Sequence, residues 1–336
     1  MDSPDPFRAS APLRLDFAGG WTDVAPFAVE ERGVVVNAAI ELRAQAEVRP
    51  GGDHYMLHAE DLGEMLELRD RDALESIGQL DLLKAALRLS GLGPCVLRTG
   101  SEVPPGSGLG SSGALGVALV SVLDAARGIR RSPVEVAEEA FRLEAVEADL
   151  PGGKQDQYAA ALGGFHRLVF ERGAVSVEPS RLDPSFAAAL AERTIVCYTG
   201  TSRVSSRMIS RVMAAYTEGD PGVVGALCGM VDVAERMAEA LRESDLARVG
   251  LLLGENWRHQ QRLDSEMRTD AMARLEQAMH SAGALGGKAA GAGAGGSMFF
   301  VVGGDPATAA AAAREAGARV LPFDWASDGV RLESVG

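Results

Sequence analysis

The chain has 336 residues, 46% of them hydrophobic and 24% charged, enough apolar material for one large or two medium domains. Its formal charge of -14 argues against a nucleic acid or an anionic membrane as main partner, yet leaves room for a small anionic substrate held by local basic residues. The opening MDSPDPFRAS is acidic with no apolar core, so no secretory signal is read there, and no stretch reaches the roughly 18 unbroken apolar residues of a membrane span. The expectation is a cytoplasmic protein whose three cysteines, Cys95, Cys197 and Cys228, are buried reduced thiols without metal-like spacing.

In chain order, APLRLDFAGGWTDVAPF reads as a short strand entering a glycine turn, GVVVNAAIELRAQAEVRP as β-rich, and HYMLHAE as an alternating strand. Leu80, Leu83 and Leu87 repeat at helical spacing, and CVLRTGSEVP is a strand ending at Pro104-Pro105. PPGSGLGSSGA follows, then an apolar helix to about Ala126. Ser132-Pro133-Val134-Glu135 is a capping box with proline at the first helical position. That helix should end before Pro151-Gly152-Gly153, with Val134, Ala137, Phe141, Ala145 and Ala148 as its apolar face and Glu144 and Glu138 at opposite margins. A short helix comes next, then a hairpin of GFHRLVFERG and VSVEPS turning at Arg172-Gly173. Beyond a change of texture near residue 180, TIVCYTG is a buried strand, long helices run to about Ser281, and GAGAGG leads into the strand SMFFVV, an alanine-rich helix and RVLPF. Two lobes are expected, 1–180 and 181–336.

The loop over Gly106, Ser107, Gly108, Leu109, Gly110, Ser111, Ser112 and Gly113 has what a phosphate needs: N–H groups free of Cβ obstruction, and a helix N-terminus behind them. It is not a Walker loop, because Gly-Lys-Ser/Thr is replaced by Gly110-Ser111-Ser112. As a dinucleotide fingerprint it is poor, since the prolines separate it from the strand; the second match, Gly291, Gly293 and Gly296, leads into a strand instead of a helix.

Three motifs in order, APLRLDFAGGWTD at 11–23, PPGSGLGSSGA at 104–114 and KAAGAGAGGSMFFVV at 288–302, resemble the small-molecule kinases that include galactokinase, homoserine kinase, mevalonate kinase and phosphomevalonate kinase. The resemblance implies an α+β, two-lobed fold: an N-terminal α/β lobe of the ribosomal protein S5 domain 2-like kind and a C-terminal ferredoxin-like α+β lobe. It implies ATP over Pro105–Gly113, Mg²⁺ held by Ser112 and Glu144, Asp156 as the carboxylate that takes or orients the hydroxyl proton, and Arg14 as the cation beside it. Gly19, Gly20, Thr22 and Asp23 match the family's sugar-contacting turn, Trp21 is expected to pack on an apolar sugar face, Lys154 is a further candidate for anion contact, and Asp16, Gly153, Gln155, Gly293 and Gly295 are the other expected substrate contacts. Glutamate-histidine, usual in galactokinases before Thr-Asp, is here Gly20-Trp21. The sequence therefore looks like the branch of heptose 7-phosphate kinases and L-fucose kinases, which phosphorylate the anomeric hydroxyl.

Read without the resemblance, Glu144 is also an ordinary helix-surface glutamate, Asp156 an N-terminal helix carboxylate and Arg14 an edge-strand arginine. Ser202, Arg203, Ser205 and Arg207 cluster after TIVCYTG and suit a substrate phosphate. They equally suit a capped helix. The expected partner is a small sugar or sugar phosphate, with no nucleic acid and no membrane, and with room for a homodimer. An L-fucose 1-kinase, a sugar and ATP sensor without turnover, and a nicotinamide oxidoreductase are the competing readings.

Overall fold

The computed structural model describes residues 5–200 and 206–333. Its strands and helices run β1 Phe7–Ala18, α1 Phe27–Glu30, β2 Arg32–Pro50, β3 Tyr55–Ala59, β4 Glu64–Leu68, α2 Asp81–Ser90, β5 Cys95–Ser101, α3 Ser111–Ala126, α4 Pro133–Arg142, α5 Gln155–Leu162, β6 Phe165–Glu171 and β7 Ala174–Pro179. They continue with α6 Pro184–Arg193, β8 Thr194–Tyr198, α7 Ser206–Thr217, α8 Pro221–Arg242, α9 Leu246–Gln260, α10 Asp270–Ser281, β9 Ala284–Ala289, β10 Ser297–Val302, α11 Pro306–Glu315, β11 Arg319–Leu321 and β12 Arg331–Glu333.

The first sheet has eight strands, ordered β12-β1-β2-β5-β3-β4, with β6 and β7 branching from β2. The branch exists because β2 is 19 residues long: its first part pairs with β6, from Arg32 opposite Glu171 to Ala38 opposite Phe165, and its last part pairs with β5. β1 breaks register between Asp16 and Ala18, just before the glycine turn, so the strand ends by redirecting the chain. The β6–β7 hairpin turns at Arg172-Gly173, both at positive φ (53° and 81°), as the right-handed twist of a two-residue hairpin demands.

The second sheet is antiparallel, β11-β8-β10-β9. Every residue of β10 is buried, and its side chains alternate between two cores. Phe299 and Val301 join the core of the first sheet, where the Phe299 ring lies 5.5 Å from that of Phe17. Met298, Phe300 and Val302 face a second core with Trp257, Met272 and Met279. A continuous apolar run is what a strand covered on both faces requires. One strand is thus the shared wall of both lobes. The chain then returns: Trp325 bridges to Ile40, and β12 adds to the edge of β1, so the last residues described lie on the first sheet.

Ser132 and Glu135 form the expected capping box at the start of α4. The apolar face differs from expectation. Val134 is 41% exposed, because the proline-led first turn stands off the body, and the buried row is Val136, Ala137, Ala140 and Leu143. The helix ends before Pro151, as expected, but its last turn at Leu143–Glu147 is π-helical, closed by the Ala148 N–H donating to the Leu143 carbonyl. Cys95 and Cys197 are buried, with burial pushing both thiols up to about 12, but Cys228 is exposed. Among the described residues no helix is long and apolar enough to cross a membrane.

Candidate active site

Gly106, Gly108 and Gly110 all take φ of 70–76°, a region open to glycine at little cost. Gly110 is the N-cap of α3, which sets Ser111 and Ser112 in its first turn. Ser107 and Leu109 turn inward and are fully buried, while Pro105 is exposed outside the cleft. The third glycine motif lies directly on this loop. A Cβ on Gly291 would stand 2.6 Å from the Gly108 carbonyl oxygen, one on Gly296 2.8 Å from that of Ser107, and the Ser297 N–H donates to the Ser107 carbonyl at 2.7 Å. Those glycines are there for backbone-to-backbone contact. Gly293 and Gly295 line the cleft, Gly293 resting against the Met267 sulfur.

Arg14 crosses beneath the loop. Its Nε donates to Asp156 Oδ1 at 2.8 Å and its Nη2 to Oδ2 at 3.1 Å, while Nη1 donates to the carbonyls of Gly108 (2.7 Å) and Ala290 (2.8 Å). Four of its five N–H groups are therefore engaged, and one Nη2 hydrogen remains. Asp156 stands in the first turn of α5, and Gly113 lets α3 approach it: a Cβ there would lie 2.6 Å from that of Asp156. Two helix N-termini and a bidentate ion pair thus converge on one point.

Ser112 donates its hydroxyl hydrogen to Glu144, and Gln157 Nε2 donates to the other Glu144 oxygen at 2.6 Å. Burial pushes the Glu144 carboxyl up to about 7; the Ser112 hydroxyl opposes this and the Asp156 charge adds to it. Among the described residues no group of three or more His, Cys, Asp or Glu forms a closed metal cage. A hydroxyl beside one carboxylate is nonetheless a set of hard oxygens suited to Mg²⁺, which takes few protein ligands when phosphates supply the rest.

Across the cleft, Asp23 is 5% exposed; its Oδ2 accepts the Gln155 N–H at 3.0 Å and its Oδ1 has no partner in the protein. Burial pushes this carboxyl up to about 7, with the Gln155 N–H opposing and the Asp156 and Asp16 charges adding. Gly153 has to be glycine, since a Cβ would stand 1.9 Å from Asp23 Oδ2. Trp21 lines the cleft at φ 86°, unusual for a bulky residue, with its buried indole N–H unpartnered. Thr22 is wholly buried and staples the turn, donating to the Gly19 carbonyl at 2.7 Å and accepting from the Val34 N–H. Gly19 sits behind the cleft, its N–H donating to Asn256 Oδ1 at 3.0 Å. Asp16 and Gln155 line the cleft, but Asp16 is occupied by Lys288 and by the Gly20 N–H. Lys154 turns away to Glu138 at 2.8 Å, over the Phe141 ring. Ser202, Arg203 and Ser205 lie outside the described residues, and Arg207 is exposed on α7.

These groups enclose about 210 Å³, with Arg14 as the one cationic side chain lining it among the described residues, against Asp16, Asp23, Glu144 and Asp156. A larger concavity, about 600 Å³, lies on the open face of the first sheet. There Arg8 pairs with Glu47 at 2.6 Å and Arg43 with backbone carbonyls, a cross-strand charge ladder remote from the glycine loops. The smaller cleft holds the chemistry. Sequence reading missed Gln157, Asn256, Gln260 and the role of Lys288. Gln260 Nε2 donates to the Gly291 carbonyl at 2.8 Å from the middle of the second lobe, and a buried amide on a helix leaves no mark in a sequence.

Residues 78–164 match the N-terminal domain of GHMP kinases, and residues 237–321 match the GHMP kinase C-terminal domain. A D-glycero-alpha-D-manno-heptose 7-phosphate kinase from Campylobacter jejuni is 30% identical over 302 residues, covering 86% of this chain and 87% of its own. The chain belongs to the GHMP kinases. An L-fucokinase/L-fucose-1-P guanylyltransferase from Bacteroides fragilis is 29% identical over 85% of this chain but 33% of its own length. Among solved structures, a D-glycero-D-manno-heptose 1-phosphate kinase from Bacteroides thetaiotaomicron superposes with a TM-score of 0.80 at 25% identity, over 98% of this chain and 99% of that one. This GHMP kinase is an ATP-dependent phosphotransferase with an alcohol acceptor, and within the family a sugar kinase.

Proposed function

We propose that this sugar kinase transfers the γ-phosphoryl group of ATP to the anomeric hydroxyl of a heptose, D-glycero-D-manno-heptose 7-phosphate being the first candidate. The observation that carries the reading is the Arg14–Asp156 pair, set between the phosphate loop and the turn bearing Asp23. Phosphoryl transfer asks for alignment and charge neutralisation more than for covalent help. Asp156 holds or accepts the hydroxyl proton as the hydroxyl oxygen bonds to the γ-phosphorus and the bond from that phosphorus to the bridging oxygen breaks, releasing ADP. Arg14 fixes that carboxylate and points one free Nη2 hydrogen at the developing charge. The N–H groups of 106–113 and the start of α3 hold the phosphates, and Asp23 Oδ1 with the Trp21 indole N–H offers an acceptor and a donor to the sugar. Ser112 and Glu144 are the ligands proposed for Mg²⁺, which when bound neutralises phosphate charge.

A second reading, L-fucose 1-kinase, is favoured by one observation: a cleft whose described lining holds one largely engaged cation suits a sugar without its own phosphate. In the heptose reading the candidates for that contact are those the sequence offers, Arg207 on α7 and Arg203, which lies outside the described residues. Assays of ATP consumption against heptose 7-phosphate, heptose, L-fucose and galactose separate the two. Turnover confined to heptose 7-phosphate supports the first, L-fucose turnover the second, and a protein that binds sugar and ATP without any turnover is the sensor. Cytoplasmic location and a homodimer stay part of the proposal, the latter checked by sedimentation.

A further inference from the structure

We propose that Lys288 is a positioning residue for the acceptor sugar, acting through Asp16 to hold the Gly20–Asp23 turn in its binding shape. The inference rests on the sugar-kinase reading of the cleft. Lys288 belongs to β9 of the second lobe and is fully buried. Its ammonium donates to Asp16 Oδ2 at 2.6 Å and to the Asp16 carbonyl at 2.7 Å, with the Phe299 ring 5.9 Å away. The other Asp16 oxygen accepts the Gly20 N–H at 3.3 Å. Gly20 is pressed onto this carboxylate, for a Cβ there would lie 2.2 Å from Asp16 Oδ2. The linkage therefore runs from the second sheet, through one ion pair, into the backbone of the turn that presents Trp21 and Asp23.

Two considerations separate this from packing. A buried ion pair is poor value for stability, since apolar side chains of similar volume fold as well or better. What the pair supplies is a fixed direction: the ammonium holds Oδ2, which leaves Oδ1 aimed at one amide. The contact is also one of two in register. Ala290, two residues along, takes Arg14 Nη1 on its carbonyl, as Lys288 takes Asp16, so β9 and its continuation grip β1 at the proton-handling arginine and at the sugar turn separately. Lys288 touches neither Arg14 nor Asp156 by hydrogen bond among the described residues, so its loss should alter sugar binding and spare the transfer step.

The test uses Lys288→Met and the double variant Asp16→Asn/Lys288→Met, which removes both charges. The expected result is a sugar KM raised about ten- to a hundredfold in each, with kcat and the KM for ATP little changed, as befits loss of a buried polar contact that serves binding alone. The double variant should regain the thermal midpoint lost by the single one without regaining the KM. A sugar KM at the wild-type value in either variant overturns the proposal and leaves Lys288 a structural residue; because Asp16 itself lines the cleft, hydrogen exchange of the turn decides if the single variant does not fold. Hydrogen exchange of the 16–23 segment gives a second readout that needs no sugar. Exchange accelerated in the double variant supports the hold on the turn, and unchanged exchange overturns it. Should the wild type phosphorylate no sugar, the acceptor reading fails while the exchange result still decides whether Lys288 orders the turn.

Discussion

Arg14 has more partners than any surface arginine could keep: two carboxylate oxygens and two carbonyls from three different segments. The geometry gives it one task above others, which is to fix Asp156 against the phosphate loop. Asp156→Asn keeps the shape but loses the proton acceptor and half of the ion pair, and kcat should fall about 10²–10⁴-fold, measured in steady state with ATP near saturation. Asp23 yields a pH prediction. With its carboxyl raised to about 7, it is protonated in mildly acidic solution and a poorer acceptor for sugar hydroxyls. At saturating ATP, the sugar KM should therefore fall as pH rises through about 7, and Asp23→Asn should flatten that limb. The same shift has a stability sign: the folded state holds a proton that the unfolded chain releases near pH ~4, so this group's contribution declines as pH rises from about 4 to about 7. At this scale the sequence was partly legible. Ser112, Glu144 and Asp156 could be named because motifs mark them, and the structure brings them together with Arg14. Thr22 and Lys154 were named on the same grounds, yet one staples a turn and the other pairs with Glu138, because neighbours in sequence point to different sides of a turn.

Among the elements, the two glycine loops act as one. Gly291 has an ordinary backbone but no room, so Gly291→Ala tests close approach free of backbone strain. The added methyl should push the phosphate loop, raising the KM for ATP several-fold and costing about 1–3 kcal/mol of stability, checked by kinetics and thermal melts. Strands with β-branched or alternating residues, and helices with caps, could be read directly. β9 could not: Ala284–Ala289 holds Gly286 and Gly287, poor strand formers by propensity, which pack flat against Gly250 and Phe300. The π turn was equally hidden, since one extra residue per turn changes no local composition. It does change which side Glu144 faces, bringing it to Ser112 and Gln157 although the preceding helix buries a different row than periodicity suggests.

At the level of the whole molecule, two lobes do not mean two folding units. The main core runs from Leu13 and Phe17 in β1 to Phe299 and Val301 in β10, and the chain's return stitches Trp325 against Phe165 and Phe323. Thermal unfolding should be a single calorimetric transition. Trp325→Ala should lower stability by about 3 kcal/mol, the low end for a tryptophan because this one is only part-buried. The change in texture near residue 180 suggests a boundary, but the return of the chain could not be read, because β12 is only Arg331-Leu332-Glu333, too short for an alternating pattern to show. Phosphorus NMR of the product made from ATP and heptose 7-phosphate by the wild-type protein and by Asp156→Asn tests phosphoryl transfer to the anomeric oxygen. A new phosphate coupled to the anomeric proton is expected, formed by the wild type and about 10²–10⁴-fold more slowly by the variant. A phosphate on another carbon, or an Asp156→Asn protein as fast as the wild type, would contradict it.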